Sequence, residues 1–320
     1  MHALSLLGLH QPLEYTSTPD PIPTEDEVVV QLHAAALNHR DVYIMQGSYA
    51  GIQYPVILGS DGAGTYRGKA VIINPTLDWG DNPTVQGKNF QILGMPTNGT
   101  FAEAVTVPKK NLFPKPEHLT WEQAAALPLA GLTAWRALFT RCGLRSGERV
   151  LVSGIGGGAA LFALTFAVTA GASVWVTSGS ADKIERAISL GAKSGVNYKD
   201  ADWDKQLKRD AGGFDVIIDS AGGDGFAALV GLCNPGARIG VFGGTAGKIN
   251  GLSPQMIFWK QISIYGSTMG SPADFKGMLQ FVNKHHIIPV VDSVLPLREG
   301  NVAMERMTSG AQFGKLVLKI

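Results

Sequence analysis

Val150-Leu-Val-Ser-Gly154-Ile-Gly156-Gly157-Gly158-Ala159-Ala-Leu161 decides how this chain folds. Val150, Leu151 and Val152 form a strand-like run that breaks at a cluster of four glycines. An apolar run of helical length then spans residues 159–170. The spacing Gly154-x-Gly156-x-x-Ala159 is the Gly/Gly/Ala form of a dinucleotide-binding fingerprint. The first glycine permits the tight turn, and the second lets the backbone approach a pyrophosphate. The small third residue lets helix and strand pack closely. The helix N-terminus offers N–H groups and partial positive charge to phosphates. Gly154, Gly156, Gly157 and Gly158 are therefore the candidate phosphate cradle.

Downstream, strand and helix patterns alternate. Strands are expected over 149–153, 173–177, 194–197, 216–219, 238–242 and 263–266. Helices are expected over 159–170, 182–190, 203–210, 225–232, 254–259 and 272–283. This alternation predicts a parallel sheet with helices on both faces. Upstream, about the first 115 residues read as β-rich, with period-2 text at 28–34 and short strands near 71–75 and 101–108. Residues 76–100 are rich in Gly, Asn, Asp and Pro and read as a long loop. Thr120 is the expected N-cap of a helix with an acidic first turn. The tail from about 287 returns to β-like text and is expected to rejoin the first domain. The predicted fold class is α/β. A β-rich domain spans 1–120 and 286–320, and a doubly wound parallel-sheet domain spans 121–285.

A chain of 320 residues is long enough for two such cores. Hydrophobic content of 45% with 17% charged residues is that of a folded globular protein. A net charge of +1 with no basic run argues against a nucleic-acid surface. The two cysteines, Cys142 and Cys233, read as reduced and buried or partly buried. The first residues lack a basic region followed by an apolar core, so no secretory signal is expected. The most apolar stretch, 159–168, is too short to span a bilayer. These features predict a cytoplasmic enzyme with a small-molecule substrate and no membrane partner.

The choice between NAD and NADP is written at the tip of the second strand. NAD sites place an Asp or Glu there to bind the ribose 2′-hydroxyl. Here the strand ends Ser178-Gly179-Ser180, with Lys183 and Arg186 on the following helix. A small hydroxyl with a nearby cation suits a 2′-phosphate, which a carboxylate would repel. Asp182 reads as a charge at the helix N-terminus rather than a ribose ligand. Tyr198 ends the third strand and is expected to flank the adenosine phosphate. NADPH is the expected cofactor.

With these pieces the chain resembles the medium-chain dehydrogenase/reductase superfamily over essentially its whole length. Ala36-Leu-Asn38-His-Arg-Asp41, Leu58-Gly-Ser-Asp-Gly-Ala-Gly64 and Gly99-Thr-Phe-Ala-Glu103 look like its GroES-like catalytic domain. Pro128–Leu138 resembles the inter-domain helix, and Gly266-Ser-Thr-Met-Gly270 and Phe313-Gly-Lys315-Leu-Val-Leu resemble later landmarks. The zinc members hold catalytic zinc through a cysteine near the Asn38 position, a His in Gly-His-Glu, and a later Cys or acid. Here Gly-His-Glu reads Gly59-Ser60-Asp61, and no cysteine lies near position 38 or in 128–133. The lobe that carries four structural-zinc cysteines in that family has none over 76–100. Hydroxyls and amides are poor zinc ligands, so no metal is expected.

The resemblance then points to the zinc-free quinone oxidoreductase branch. It implies that Asn38, Tyr43 and Tyr49 line the pocket beside the nicotinamide. It also implies that Thr133, Gly243, Gly244 and Met269 border the nicotinamide side. His39, Arg40 and Asp41 cannot all face one pocket, and Asp41 is expected to pair with a base or cap a helix. Lys315 is expected either to reach the cofactor or to lie in solvent. The expected reaction is hydride transfer from NADPH to a quinone or an α,β-unsaturated carbonyl. The charge developing on oxygen would meet Asn38, Tyr43, Tyr49 or water rather than a metal. Simple alcohols are poor substrates for such a site, because an alkoxide needs stronger stabilisation. The alternatives are an enoyl-thioester reductase, a zinc-type alcohol dehydrogenase relative, or a non-catalytic NADPH-binding sensor or structural protein. A homodimer joined through the edge strand at 262–267 is expected, because an apolar edge left unpaired aggregates.

Overall fold

Six parallel strands form one sheet: β1 (Arg149–Val152), β2 (Ser173–Ser178), β3 (Ser194–Asn197), β4 (Phe214–Asp219), β5 (Cys233–Val241) and β6 (Ser263–Gly266). They lie in the order β3-β2-β1-β4-β5-β6. Val150 pairs with Val174 on one side and Val216 on the other. Val150, Leu151 and Val152 are buried, as a strand covered on both faces requires. The helix Gly158–Thr169 is apolar all round and buries seven side chains, Phe162 and Phe166 among them. The helix Ala181–Ser189 buries only Ile184 and Ala187 and turns its charged face outward. The strand order reverses between β1 and β4, which is where doubly wound sheets bind ligands at their carboxyl ends.

The computed structural model describes residues 1–320. The chain divides into two compact units, Met1–Leu132 with Ser271–Ile320 and Thr133–Gly270. The second unit is shorter than the expected 121–285, by 12 residues at its start and 15 at its end. Side-chain contacts explain the shift. Trp121 stacks on His33 with ring centroids 4.4 Å apart. The Leu129 N–H donates to Asp61 at 2.8 Å, and Phe275 packs 4.8 Å from Phe113. The helices Trp121–Ala126 and Pro272–His285 therefore belong with the β-rich unit. Thr120 caps the first of them through a reciprocal box with Gln123.

The first unit is built on a seven-stranded sheet. Its path runs Leu112–Pro114, Lys69–Ile73, Asp61–Tyr66, Glu27–Ala36, Lys315–Lys319, Val291–Pro296, with Ala104–Pro108 also paired to Glu27–Ala36. The C-terminal strand lies antiparallel to Glu27–Ala36, Leu318 opposite Ala35. The tail thus rejoins the first domain and brings Lys315 beneath the segment that leads to Asn38. Residues 76–100 are more ordered than their composition suggests. Thr76–Leu77 pairs with Gln91–Ile92. Trp79 is buried, donates to Asn82 O at 2.9 Å and meets the Phe90 ring edge-on.

Candidate active site

The glycine turn has the backbone that its sequence implies. Gly154 and Gly156 have φ of +65° and +137°, a region closed to most side chains. Gly157 caps the helix Gly158–Thr169. A side-chain carbon built on Gly154 or Gly157 would meet nothing within 4 Å, so the turn is open to a ligand. The turn is fixed from behind. Gly154 N–H donates to Thr177 Oγ1 at 3.1 Å and Ile155 N–H to Thr177 O at 2.7 Å. The Ser153 hydroxyl donates to the Asp219 carboxylate, which also accepts Gly222 N–H at 2.8 Å. The ends of β1 and β4 are thereby tied together at the point where the strand order reverses.

Lys183 lies over this turn: a side-chain carbon on Gly156 would fall 3.2 Å from its Nζ. No carboxylate stands at the tip of β2, and Asp182 is exposed on the first helical turn, 4.0 Å from Arg186. Ser178 departs from expectation. Its hydroxyl is buried, donates to Ile155 O at 3.4 Å and accepts Ser180 N–H at 3.3 Å. It braces the turn rather than presenting itself. Tyr198 is exposed and brings its hydroxyl 2.8 Å from the position of a side-chain carbon on Gly179. Lys199 Cε comes within 2.9 Å of the same position. Lys199 escaped the sequence reading; the only signal was its place directly after Tyr198. At the ends of the later strands, Gly244 faces open space, while Gly243 is pressed on Ser220 O at a distance only a glycine tolerates. Met269 has φ +45° and is buried, as is Thr133 on the helix Pro128–Trp135.

In the first unit, Asn38 is the N-cap of the helix His39–Met45. This helix turns Val42 and Ile44 into the core and leaves Tyr43 half-buried. Burial raises the Tyr43 phenol above its ordinary 10.0, and the neighbouring Tyr49 adds to the shift. Both tyrosines therefore stand at one end of the same helix and its following turn. Asp41 caps the helix by accepting Asn38 N–H at 2.8 Å. Burial pushes its carboxyl up to about 6, against the opposing pull of Arg40.

Lys315 neither reaches for a cofactor nor lies in solvent. It is 3% exposed. Its ammonium donates to Leu37 O at 2.6 Å, Asn38 Oδ1 at 2.6 Å and Asp61 Oδ2 at 2.9 Å. Its three N–H donors are thus all matched within the first unit. The Asn38 amide in turn donates to Asp61 Oδ2 at 3.0 Å. A second buried cation stands beside the Gly59-Ser60-Asp61 turn. Arg40 donates to Ser60 Oγ at 2.7 Å and Leu93 O at 3.0 Å, and its guanidinium lies 5.6 Å from the Tyr49 ring centroid. No group of three His, Cys, Asp or Glu side chains converges to hold a metal. No helix is long and apolar enough to cross a membrane.

Two family models match: "Alcohol dehydrogenase GroES-like domain" over residues 24–117 and "Zinc-binding dehydrogenase" over 158–284. The chain is 35% identical to the "Zinc-type alcohol dehydrogenase-like protein YogA" of Leptosphaeria maculans, covering 98% of this chain and 96% of that one. A solved "NAD-dependent alcohol dehydrogenase" superposes with a TM-score of 0.94 at 37% identity, both chains fully covered. The quinone oxidoreductase of Thermus thermophilus, solved alone and with NADPH, gives 0.85 at 26% identity, again over both whole chains. The chain belongs to the medium-chain dehydrogenase/reductase superfamily, whose relatives here are pyridine-nucleotide oxidoreductases.

Proposed function

We propose that this oxidoreductase is a zinc-independent, NADPH-dependent reductase acting on activated acceptors, quinones or α,β-unsaturated carbonyls. The observation that carries the reading is the pair of buried cations, Lys315 and Arg40, bonded to the residues that stand at the zinc-ligand positions. Lys315 neutralises Asp61 and occupies the Asn38 carbonyl. Arg40 occupies the Ser60 hydroxyl. A metal dication would meet positive charge and groups already engaged, with no three His, Cys, Asp or Glu side chains converging to replace them. Bound NADPH supplies the hydride. Within the first unit, the Asn38 amide and the Tyr43 and Tyr49 hydroxyls are the hydrogen-bond donors proposed for the negative charge that would develop on an acceptor oxygen. Such donors stabilise less charge than zinc does, which favours acceptors whose carbon is already electron-poor.

The second unit favours NADPH over NADH. The β2 tip holds no carboxylate, and Lys183 and Lys199 bring positive charge to the turn and to Gly179. Ser180, which accepts the Lys183 N–H at 3.5 Å to start the next helix, completes a small polar rim there. The proposed assembly is a homodimer through β6.

The deciding experiment is oxidation of NADPH and NADH by chelator-treated protein with quinones, short enones, long enoyl thioesters and aldehydes. NADPH-selective turnover of quinones or enones is the expected result. Activity restored only by zinc, and only with aldehydes or alcohols, overturns the reading.

A further inference from the structure

The geometry points to Asp61 and Lys315 as positioning residues that fix the Asn38 amide as a polarised hydrogen-bond donor for the substrate oxygen. The inference deepens the reductase reading and rests on it.

An asparagine amide has a donor end and an acceptor end of nearly equal shape, and in solution either can face a ligand. Here the environment of Asn38 distinguishes them. The Lys315 ammonium donates to Oδ1 at 2.6 Å, and Nδ2 donates to the Asp61 carboxylate at 3.0 Å. A flipped amide would set N–H against ammonium and carbonyl against carboxylate, two repulsive contacts in place of two charge-assisted bonds. The side chain is thus locked with one Nδ2–H held by Asp61 and the second without a protein acceptor.

The holders are themselves held. Asp61 Oδ1 accepts Leu129 N–H at 2.8 Å, and Asp61 O accepts the Thr100 hydroxyl at 2.8 Å. Lys315 is anchored by Leu37 O, and its remaining donors go to Asn38 and Asp61. With no donor left over, Lys315 acts only through its neighbours. The ion pair is desolvated, with Lys315 and Asp61 side chains 4% and 0% exposed. In that low-dielectric setting a cation at the carbonyl oxygen withdraws density from the amide nitrogen and strengthens its remaining N–H donor. The ammonium, whose charge Asp61 balances, thereby acts on the developing oxyanion only by orienting and polarising Asn38, without a step of its own. Buried ion pairs contribute little net stability compared with well-packed apolar groups, so a positional role fits this pair better than a purely stabilising one.

The test is a double-substitution cycle with a spectroscopic companion. Lys315→Met should lower kcat with enones or quinones about ten- to hundredfold, part of what losing a whole oxyanion donor costs. KM and NADPH affinity should stay within about twofold, and Lys315→Arg should recover part of the loss. In the Asn38→Ala background Lys315→Met should change kcat less than about twofold, because the residue it acts through is gone. Additive losses overturn the proposal. The companion measurement follows the Asn38 side-chain amide signals in 15N-labelled protein, assigned by their disappearance in Asn38→Ala. Wild-type protein should give a widely split, slowly exchanging pair. Lys315→Met and the near-isosteric Asp61→Asn should both collapse it toward solvent-averaged values. Unchanged signals in both variants overturn the proposal, even where one variant folds poorly. If no acceptor is turned over by the wild type, the reductase reading fails, and the amide signals still decide whether Lys315 and Asp61 hold Asn38.

Discussion

Lys183 leans over Gly156: a side-chain carbon on that glycine would fall 2.9 Å from Lys183 Cδ and 3.2 Å from its Nζ. The helix that follows β2 therefore carries its cation back to the turn that follows β1. A charge-assisted contact to phosphate is stronger than a neutral one. Lys183→Ala should weaken NADPH binding about tenfold or more, equivalent to about 1.4 kcal/mol or above, and leave NADH nearly unchanged. Lys199→Ala should act in the same direction and less strongly. Titration of nucleotide fluorescence checks both. Equal losses for the two nucleotides would remove the 2′-phosphate assignment.

Gly156→Ala tests the turn itself. Its φ of +137° and the crowding by Lys183 leave no relaxed place for a methyl group. Backbone strain of this kind costs on the order of 1–3 kcal/mol. Either the turn shifts or Lys183 is displaced, so NADPH binding should fall while far-ultraviolet dichroism stays native. Gly157→Ala is the control, because its position is open and its φ is negative. It should retain the fold and lose affinity only by obstructing the ligand.

Asp41 predicts a pH dependence of stability. Burial raises its carboxyl from 3.8 to about 6 in the folded protein. The folded state then binds the proton more tightly than the unfolded chain. The stabilisation is fully present below pH 3.8 and is lost as pH rises through about 6. At about 1.4 kcal/mol per pH unit this amounts to about 3 kcal/mol. Asp41→Asn keeps an acceptor for Asn38 N–H and removes the charge. Its Tm should exceed that of the wild type at about pH 7 and match it near pH 4. A Tm difference independent of pH would show that the Asp41 carboxyl titrates alike in the folded and unfolded protein.

The β6 edge should join two copies. Ile264 on that strand is 37% exposed, and Phe258 and Trp259 just before it are 54% and 78% exposed. An unpaired edge beside large apolar side chains is a liability unless covered. Sedimentation at micromolar concentration should show a dimer, and Ile264→Lys should shift it toward monomer. A monomeric wild type refutes the assignment.

The layout of the parallel-sheet half is legible in local sequence. The expected strands at 173–177, 194–197 and 263–266 and the helices at 203–210 and 254–259 lie within a residue or so of those observed. That half is made of local signals, apolar runs, caps and glycines with demanding φ, and each can be read in a short window. The same is true of the glycine turn at 154–158, and of Asp41 as a helix cap.

Tertiary structure decided what the polar residues do. Lys315 and Asn38 are 277 residues apart in the chain, and they meet because the last strand pairs with Glu27–Ala36. Nothing near Gly314-Lys315 in sequence signals a buried carboxylate, so local sequence alone leaves this lysine without its partner. Ser178 ends its strand as expected, but the return of the glycine turn over it buries its hydroxyl. Lys199 comes to Gly179 only through the parallel pairing of β2 with β3, which brings their tips together. A strand or helix is fixed by neighbours a few residues away, whereas the partner of a buried charge is fixed by the register of strands distant in the chain.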